Sequence, residues 1–160
     1  MVNPPVCKVQ YRRSRFSTRL PDDRRYTPAH FWLLSVGENR YRVGFTMFAV
    51  RMLGDLVEYG YEVKPGAAFE LGDTLGWIEA FKATTDLYAV GCGTFALANP
   101  DLERDPTLFD KDCYGAGWLY EFEGIADANT VDVHGYTAML DRAIDKIQGK
   151  DDSASPESES

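Results

Sequence analysis

Apolar and polar residues alternate over short segments along most of the chain, and turn residues separate these segments. In RYRVGFT (residues 40–46), Tyr41, Val43 and Phe45 alternate with polar or small residues, as in a half-buried strand. With the preceding FWLLSV and the intervening GEN, this segment predicts a β-hairpin. DLVEYGYEV, GCGTFALA and WLYEF are predicted to form further strands.

Helical patterns are few and mostly short. Thr46 is a suitable N-cap for MFAVRML, which is expected to end at Gly54, and Asn99-Pro100 is typical of a helix start. Residues 135–148 have a helical stripe formed by Tyr136, Met139, Leu140, Ala143, Ile144 and Ile147. Short strands with so few helices favour a mainly β fold, a compact sandwich or barrel.

The net charge of −8 is unevenly distributed, and it suggests three parts. Residues 1–25 contain seven basic and two acidic side chains, whereas the remaining ten basic and 23 acidic residues give that part a charge of −13. We expect a basic extended arm at 1–25, one domain at 26–148 and a disordered acidic tail at 149–160. An acidic body disfavours nucleic-acid binding, and no apolar stretch is long enough to cross a membrane.

Cysteine and histidine usage excludes several kinds of site. Cys7, Cys92 and Cys113 are scattered and odd in number, which favours a reducing, cytoplasmic location over a disulfide framework. His30 and His134 are far apart, so no metal-ligand spacing can be built and no metal site is predicted.

A second hairpin is predicted at GWIEAFKATTDLYAV (residues 76–90), with Lys82 at its tip. Both faces of its first strand are mostly apolar, which predicts burial between two layers. The residues alone favour a solvated lysine and leave open a modification site. They disfavour a Schiff-base amine, since a protruding tip is not dry and Glu79 and Asp86 would keep the amine protonated.

The segment around this lysine resembles one in the H proteins of the glycine cleavage system. EAFKATTD (residues 79–86) is similar to that family's E-S-V-K-A-x-S-D pattern. Other family-like segments occur along the chain in the same order as in the family. They are YT (residues 26–27) before His30 and Trp32, VGFT (43–46), FA (48–49), LGD (53–55), Asn99 and YGAGWL (114–119). The resemblance covers roughly residues 26–147. It implies a lipoyl/biotinyl-type barrel-sandwich hybrid with short helices and a C-terminal helix.

The resemblance also implies a function, that of a non-catalytic carrier subunit in a multienzyme system. Lys82 would be the lipoyl attachment site, a swinging arm, with Glu79, Asp86 and His30 near the cofactor. A lipoate ligase or lipoyl transferase would attach the group. A pyridoxal-phosphate decarboxylase, an aminomethyltransferase and dihydrolipoyl dehydrogenase would use it in glycine catabolism. Biotinyl carriers usually have Met beside the lysine, and the neighbours here are Phe81 and Ala83.

Several positions depart from the family pattern. Phe31 stands where the family has a glutamate that helps to hold the loaded amine, Cys113 replaces a proline, and the basic arm has no counterpart. Two alternatives therefore stay open: a lipoate-binding protein that carries sulfur intermediates in heterodisulfide-reductase-like sulfur oxidation, and an unmodified interaction module. His30 is also open to a purely structural role.

Overall fold

The computed structural model describes residues 7–149, and this part of the chain forms eleven strands and four helices. In chain order the elements are β1 (Lys8–Arg13), β2 (Phe16–Pro21), β3 (Arg25–Tyr26), β4 (Phe31–Gly37), β5 (Arg40–Phe45), α1 (Met47–Leu53), β6 (Leu56–Tyr61), β7 (Ala68–Phe69), β8 (Thr74–Ala80), β9 (Thr84–Tyr88), β10 (Gly91–Ala98), α2 (Pro100–Arg104), α3 (Leu108–Lys111), β11 (Tyr120–Ala126) and α4 (Val133–Ile147).

The described strands form three antiparallel sheets. The largest has the order β3-β4-β5-β11-β10-β7, the second has the order β6-β8-β9, and β1 pairs with β2 alone. One buried cluster contains Val43 and Phe122 of the first sheet together with Ile78 and Leu87 of the second. The two larger sheets therefore enclose a common core, in agreement with the mainly β prediction.

The elements predicted from local signals form close to where they were expected. Thr46 caps α1 by accepting a hydrogen bond from the Ala49 N–H, and α1 ends at Gly54, whose φ is +86°. The C-terminal helix begins at Val133, two residues before the predicted start at 135, because the Asp132 carboxylate accepts from the Gly135 N–H at 2.9 Å. Local capping groups thus fixed these helix ends.

The strand β8 differs from its prediction, since only one of its faces is buried. Leu75, Ile78 and Ala80 lie in the core, whereas Trp77 is half-buried and Glu79 is exposed. A register irregularity near the start of β8 turns Leu75 to the inner side. The sheet has the core on one side and solvent on the other, so the expected two covering layers are absent for the described residues.

Residues 8–21, expected to lie in an extended arm, form a β-hairpin (the N-terminal hairpin). Tyr11 and Leu20 on its inner face are buried, and Pro21 ends β2. The Tyr11 hydroxyl donates to Asp141 of α4 at 2.8 Å. The many arginines of this segment favoured an exposed arm. The hairpin forms nevertheless, because its inward-facing apolar side chains pack against α4 and α1. Residues 1–6 of the expected arm and residues 150–160 of the expected acidic tail lie outside the described residues.

Candidate functional site

Lys82 lies at the tip of the β8–β9 hairpin. Glu79 and Thr84 form the last cross-strand pair, and the Ala80 N–H donates to the Ala83 carbonyl at 2.9 Å to close the loop. The side chain of Lys82 is exposed, as expected from the sequence. The hairpin thus presents the amine to solvent at the end of two paired strands.

The backbone of this tip is fixed to the segment that follows α1. The Phe81 N–H donates to the Asp55 carbonyl, and the Lys82 N–H donates to the Leu53 carbonyl, each at 2.8 Å. Both donors would otherwise lack a partner within the hairpin, and both acceptors flank the C-terminal end of a helix. These hydrogen bonds hold the lysine backbone in place while the side chain projects.

Gly54 provides the close approach between these two segments. A Cβ at this position would lie 3.2 Å from both the backbone N and the Cγ of Lys82. Its φ of +86° and ψ of −167° belong to a region that only glycine adopts without strain. The stem of the lysine therefore lies across a glycine, which the LGD segment supplies.

A cleft of about 600 Å³ adjoins Lys82 (the lysine cleft). Its walls come from α1, the hairpin tip and α3, and they include Met47, Val50, Arg51, Asp55 and Asp110. Two carboxylates and one guanidinium therefore line it. A chain attached to the Lys82 amine has room to fold back into this space.

Two of the predicted site residues share the hairpin with Lys82 but lie on its outer face. Asp86 pairs with Trp77, and Glu79 lies two residues further along β8. Because side chains alternate across a strand, Glu79 and Asp86 point to the same side. Both are exposed, and neither is among the residues that line the lysine cleft.

His30 is placed at the opposite end of α1 from Lys82. The Thr46 N–H, just before α1, donates to the His30 carbonyl at 2.9 Å, whereas Lys82 contacts the other end of this helix. Seven residues of helix separate the two ends by about 10 Å. The structure therefore does not bring His30 to the hairpin tip, and its contact with a cofactor stays a prediction.

The His30 ring is used in the packing beneath α4. Its Nδ1 lies 2.8 Å from the Tyr136 hydroxyl, and its ring centroid lies 4.7 Å from that of Phe48. Burial lowers the pKa of His30 to about 4. The imidazole is neutral at pH 7, which favours the structural role.

Phe31, at the position of the missing glutamate, is buried in the core. It stacks on Phe45 at 4.5 Å between ring centroids, and Phe45 meets Phe109 of α3 edge-on at 6.2 Å. This aromatic stack supports α3, which places Asp110 in the lysine cleft. Sequence reasoning missed Asp110, because no local signal marks a residue on a one-turn helix that is distant in sequence from Lys82.

Metal and membrane features are absent from the part of the chain that the structure describes. No group of three or more His, Cys, Asp or Glu residues among positions 7–149 could hold a metal ion. No helix in the same range is long and apolar enough to span a membrane. All three cysteines are free.

Comparison with known proteins assigns the family. The family model described as glycine cleavage H-protein matches residues 24–138. A glycine cleavage system H protein from Mycobacterium avium (strain 104) is 39% identical over 122 residues, which cover 76% of this chain and 90% of that protein. One from Nocardia farcinica is 38% identical over 115 residues, covering 71% and 84%.

A solved structure gives the same assignment. The crystal structure of a glycine cleavage system H protein from Mycobacterium marinum matches with a TM-score of 0.68 and 31% sequence identity. The match covers 76% of this chain and 99% of that one, and it confirms the barrel-sandwich prediction. The chain belongs to the glycine cleavage H-protein family.

Proposed function

We propose that this protein is the lipoyl carrier of a glycine cleavage system, with the lipoyl group in amide linkage to Lys82 Nζ. The observation that carries the proposal is the exposed lysine whose tip is held by two backbone hydrogen bonds. Family membership supports it independently. The residues fit such a group, because the amine is accessible and the lysine cleft lies beside it.

A lipoyl group held on Lys82 would supply a disulfide that is reduced on loading, so that one sulfur bonds to the aminomethyl carbon and the other becomes a thiol. The role of the protein itself is presentation, and we propose no catalytic residue. A tethered group has a high effective concentration at each docked enzyme. A fixed hairpin tip also favours binding to each partner, because the backbone of the tip is already ordered and loses less conformational entropy on docking.

The charges of the lysine cleft support aminomethyl cargo. An aminomethyl group carries a positive charge at neutral pH, and once the Lys82 amine is acylated the cleft has two carboxylates, Asp55 and Asp110, against the single guanidinium of Arg51. These carboxylates compensate for Phe31, which cannot hold an ammonium group. No observation favours sulfur cargo or an unmodified interaction module, so neither is proposed.

The proposed partners follow from this role. A lipoate ligase or lipoyl transferase would attach the group, and we assign the exposed Glu79 and Asp86 to its recognition, since both carboxylates are presented on the outer face of the hairpin. The pyridoxal-phosphate decarboxylase, the aminomethyltransferase and dihydrolipoyl dehydrogenase would then use the carrier. A cytoplasmic location is supported by the three free cysteines.

Intact mass spectrometry after treatment with lipoate ligase, ATP and lipoate tests the attachment site. We expect one lipoyl mass increment on the native chain and none on Lys82→Arg, which keeps the charge and the exposed position. An increment on Lys82→Arg would disprove the site. No increment on the native chain, under conditions that modify an H protein of known activity, would disprove lipoylation. Incubation of the lipoylated chain with glycine and the decarboxylase then tests the cargo through a second increment.

A further inference from the structure

A second cavity, of about 250 Å³, lies on the neighbouring face of α1 (the hairpin groove). It is enclosed by α1, the tip of the N-terminal hairpin and the last turns of α4. Its walls are mainly apolar and include Phe16, Phe48, Met52, Ile144 and Ile147. Met52 and Ile147 are about half exposed, so the groove is open to solvent.

The N-terminal hairpin forms one wall of this groove and lies outside the residues that match the family model. The Phe16 ring meets Phe48 edge-on, with 5.5 Å between centroids. The hairpin is anchored on α4, where the Arg13 guanidinium donates to both oxygens of Asp145 at 2.9 and 2.8 Å. The groove is thus a fixed feature that residues 8–21 add to the H-protein domain.

Arg51 borders both the hairpin groove and the lysine cleft, so the two spaces lie beside one and the same side chain. The two spaces lie against two adjacent faces of α1, as the helical spacing of the lining residues shows. One face has Met47, Val50 and Gly54 and borders the cleft; the other has Phe48 and Met52 and borders the groove. The Arg51 guanidinium lies 5.7 Å from the centroid of the Phe16 ring. A flexible chain attached to Lys82 can therefore pass from one space to the other around a single side chain.

We propose that the hairpin groove binds the dithiolane end of the oxidised, uncharged lipoyl arm. This inference rests on the proposed function. The dithiolane is apolar and uncharged, which matches the walls, and the Met52 thioether adapts to irregular apolar ligands. The described lining of the groove has two guanidinium groups, Arg15 and Arg51, and no carboxylate, whereas the lysine cleft has Asp55 and Asp110 beside Arg51. A positively charged aminomethyl arm is disfavoured there and is directed to the carboxylates of the lysine cleft.

Methyl NMR of the full chain, before and after lipoylation, tests where the oxidised arm lies. We expect shift changes at the methyl groups of Met52, Ile144 and Ile147. Ile125 serves as an internal control, because it is 70% exposed and lies on β11, away from the groove. The changes should be absent in Lys82→Arg after the same treatment.

Reduction of the arm by a water-soluble phosphine gives a second readout. Burial of an apolar group of this size favours the docked state by roughly tenfold, so we expect Met52→Asp to accelerate reduction by about that factor. Ile125→Asp introduces the same charge at an exposed apolar position and should leave the rate unchanged. Amide spectra establish that both variants remain folded.

The outcomes separate this inference from the proposed function. Absence of a lipoyl mass increment would overturn both. A normal increment without methyl shifts in the groove, or with equal reduction rates for Met52→Asp and Ile125→Asp, would overturn the groove assignment alone.

Discussion

Acidification from pH 7 to pH 5 is expected to destabilise this protein through His30. Its side chain is partly buried, and its described contacts are the hydroxyl and ring of Tyr136 and the ring of Phe48. Tyr136 is uncharged throughout this range, because burial raises its pKa. The fold therefore supplies no anion at these contacts to stabilise an imidazolium.

The sign and the magnitude follow from the lowered pKa. Burial lowers the pKa of His30 from 6.5 to about 4, so between these values the unfolded chain binds a proton that the folded chain does not. Stability is complete above pH 6.5 and falls as the pH decreases towards 4. At about 1.4 kcal/mol per pH unit, the loss between pH 7 and pH 5 amounts to about 2 kcal/mol.

Urea unfolding of the native chain and of His30→Asn at both pH values measures this effect. Asparagine is the matched replacement because it does not titrate and because it tolerates the positive φ of +71° at this position. We expect the variant to be less stable at pH 7, because it lacks the ring that contacts Phe48. On acidification, however, its free energy of unfolding should decrease by about 2 kcal/mol less than that of the native chain. Equal losses in the two proteins would refute the assignment of a neutral His30 whose pKa is lowered by partial burial.

Three further predictions concern the hairpin tip, the N-terminal hairpin and the lysine cleft. Gly54→Ala should cost about 1–3 kcal/mol of stability and slow lipoylation, because the positive φ and the contact with the tip lysine both exclude a Cβ; an unchanged lipoylation rate would contradict this reasoning. Leu20→Ala should lower the free energy of unfolding by about 2–5 kcal/mol, whereas Val57→Ala, at an exposed site, should change it by less than about 0.5 kcal/mol in the same urea titration. Asp110→Asn should shorten the lifetime of the aminomethyl-loaded form roughly twofold to fivefold, the range expected for one exposed charge pair. Intact mass over time gives this lifetime, and a similar effect of the control Glu62→Gln would show that the cleft is not responsible.

Elements defined by nearby residues could be read from the sequence. The β4–β5 hairpin, the capped helix α1 and the apolar stripe of α4 each depend on periodicity or on a capping group within a few positions. The position of Lys82 at a hairpin tip could also be predicted from the sequence, because it is determined by the two strands that flank it. The family resemblance then rested on the order of such segments.

Features that depend on distant partners were decided only by the tertiary structure. The N-terminal hairpin folds because Tyr11 and Leu20 find apolar surfaces on elements more than 20 residues away, and its arginines conceal this in the sequence. Asp110 reaches the lysine cleft because Phe109 packs on the core aromatic residues. His30 is held in a packing role because Tyr136, 106 positions later, accepts or donates its hydrogen bond. The sequence alone determined those strands and helices that local signals define, and which lysine is presented, because short-range hydrogen bonding and periodicity encode these. Which side chains surround that lysine depends on packing between distant segments, for which a single sequence has no local signal.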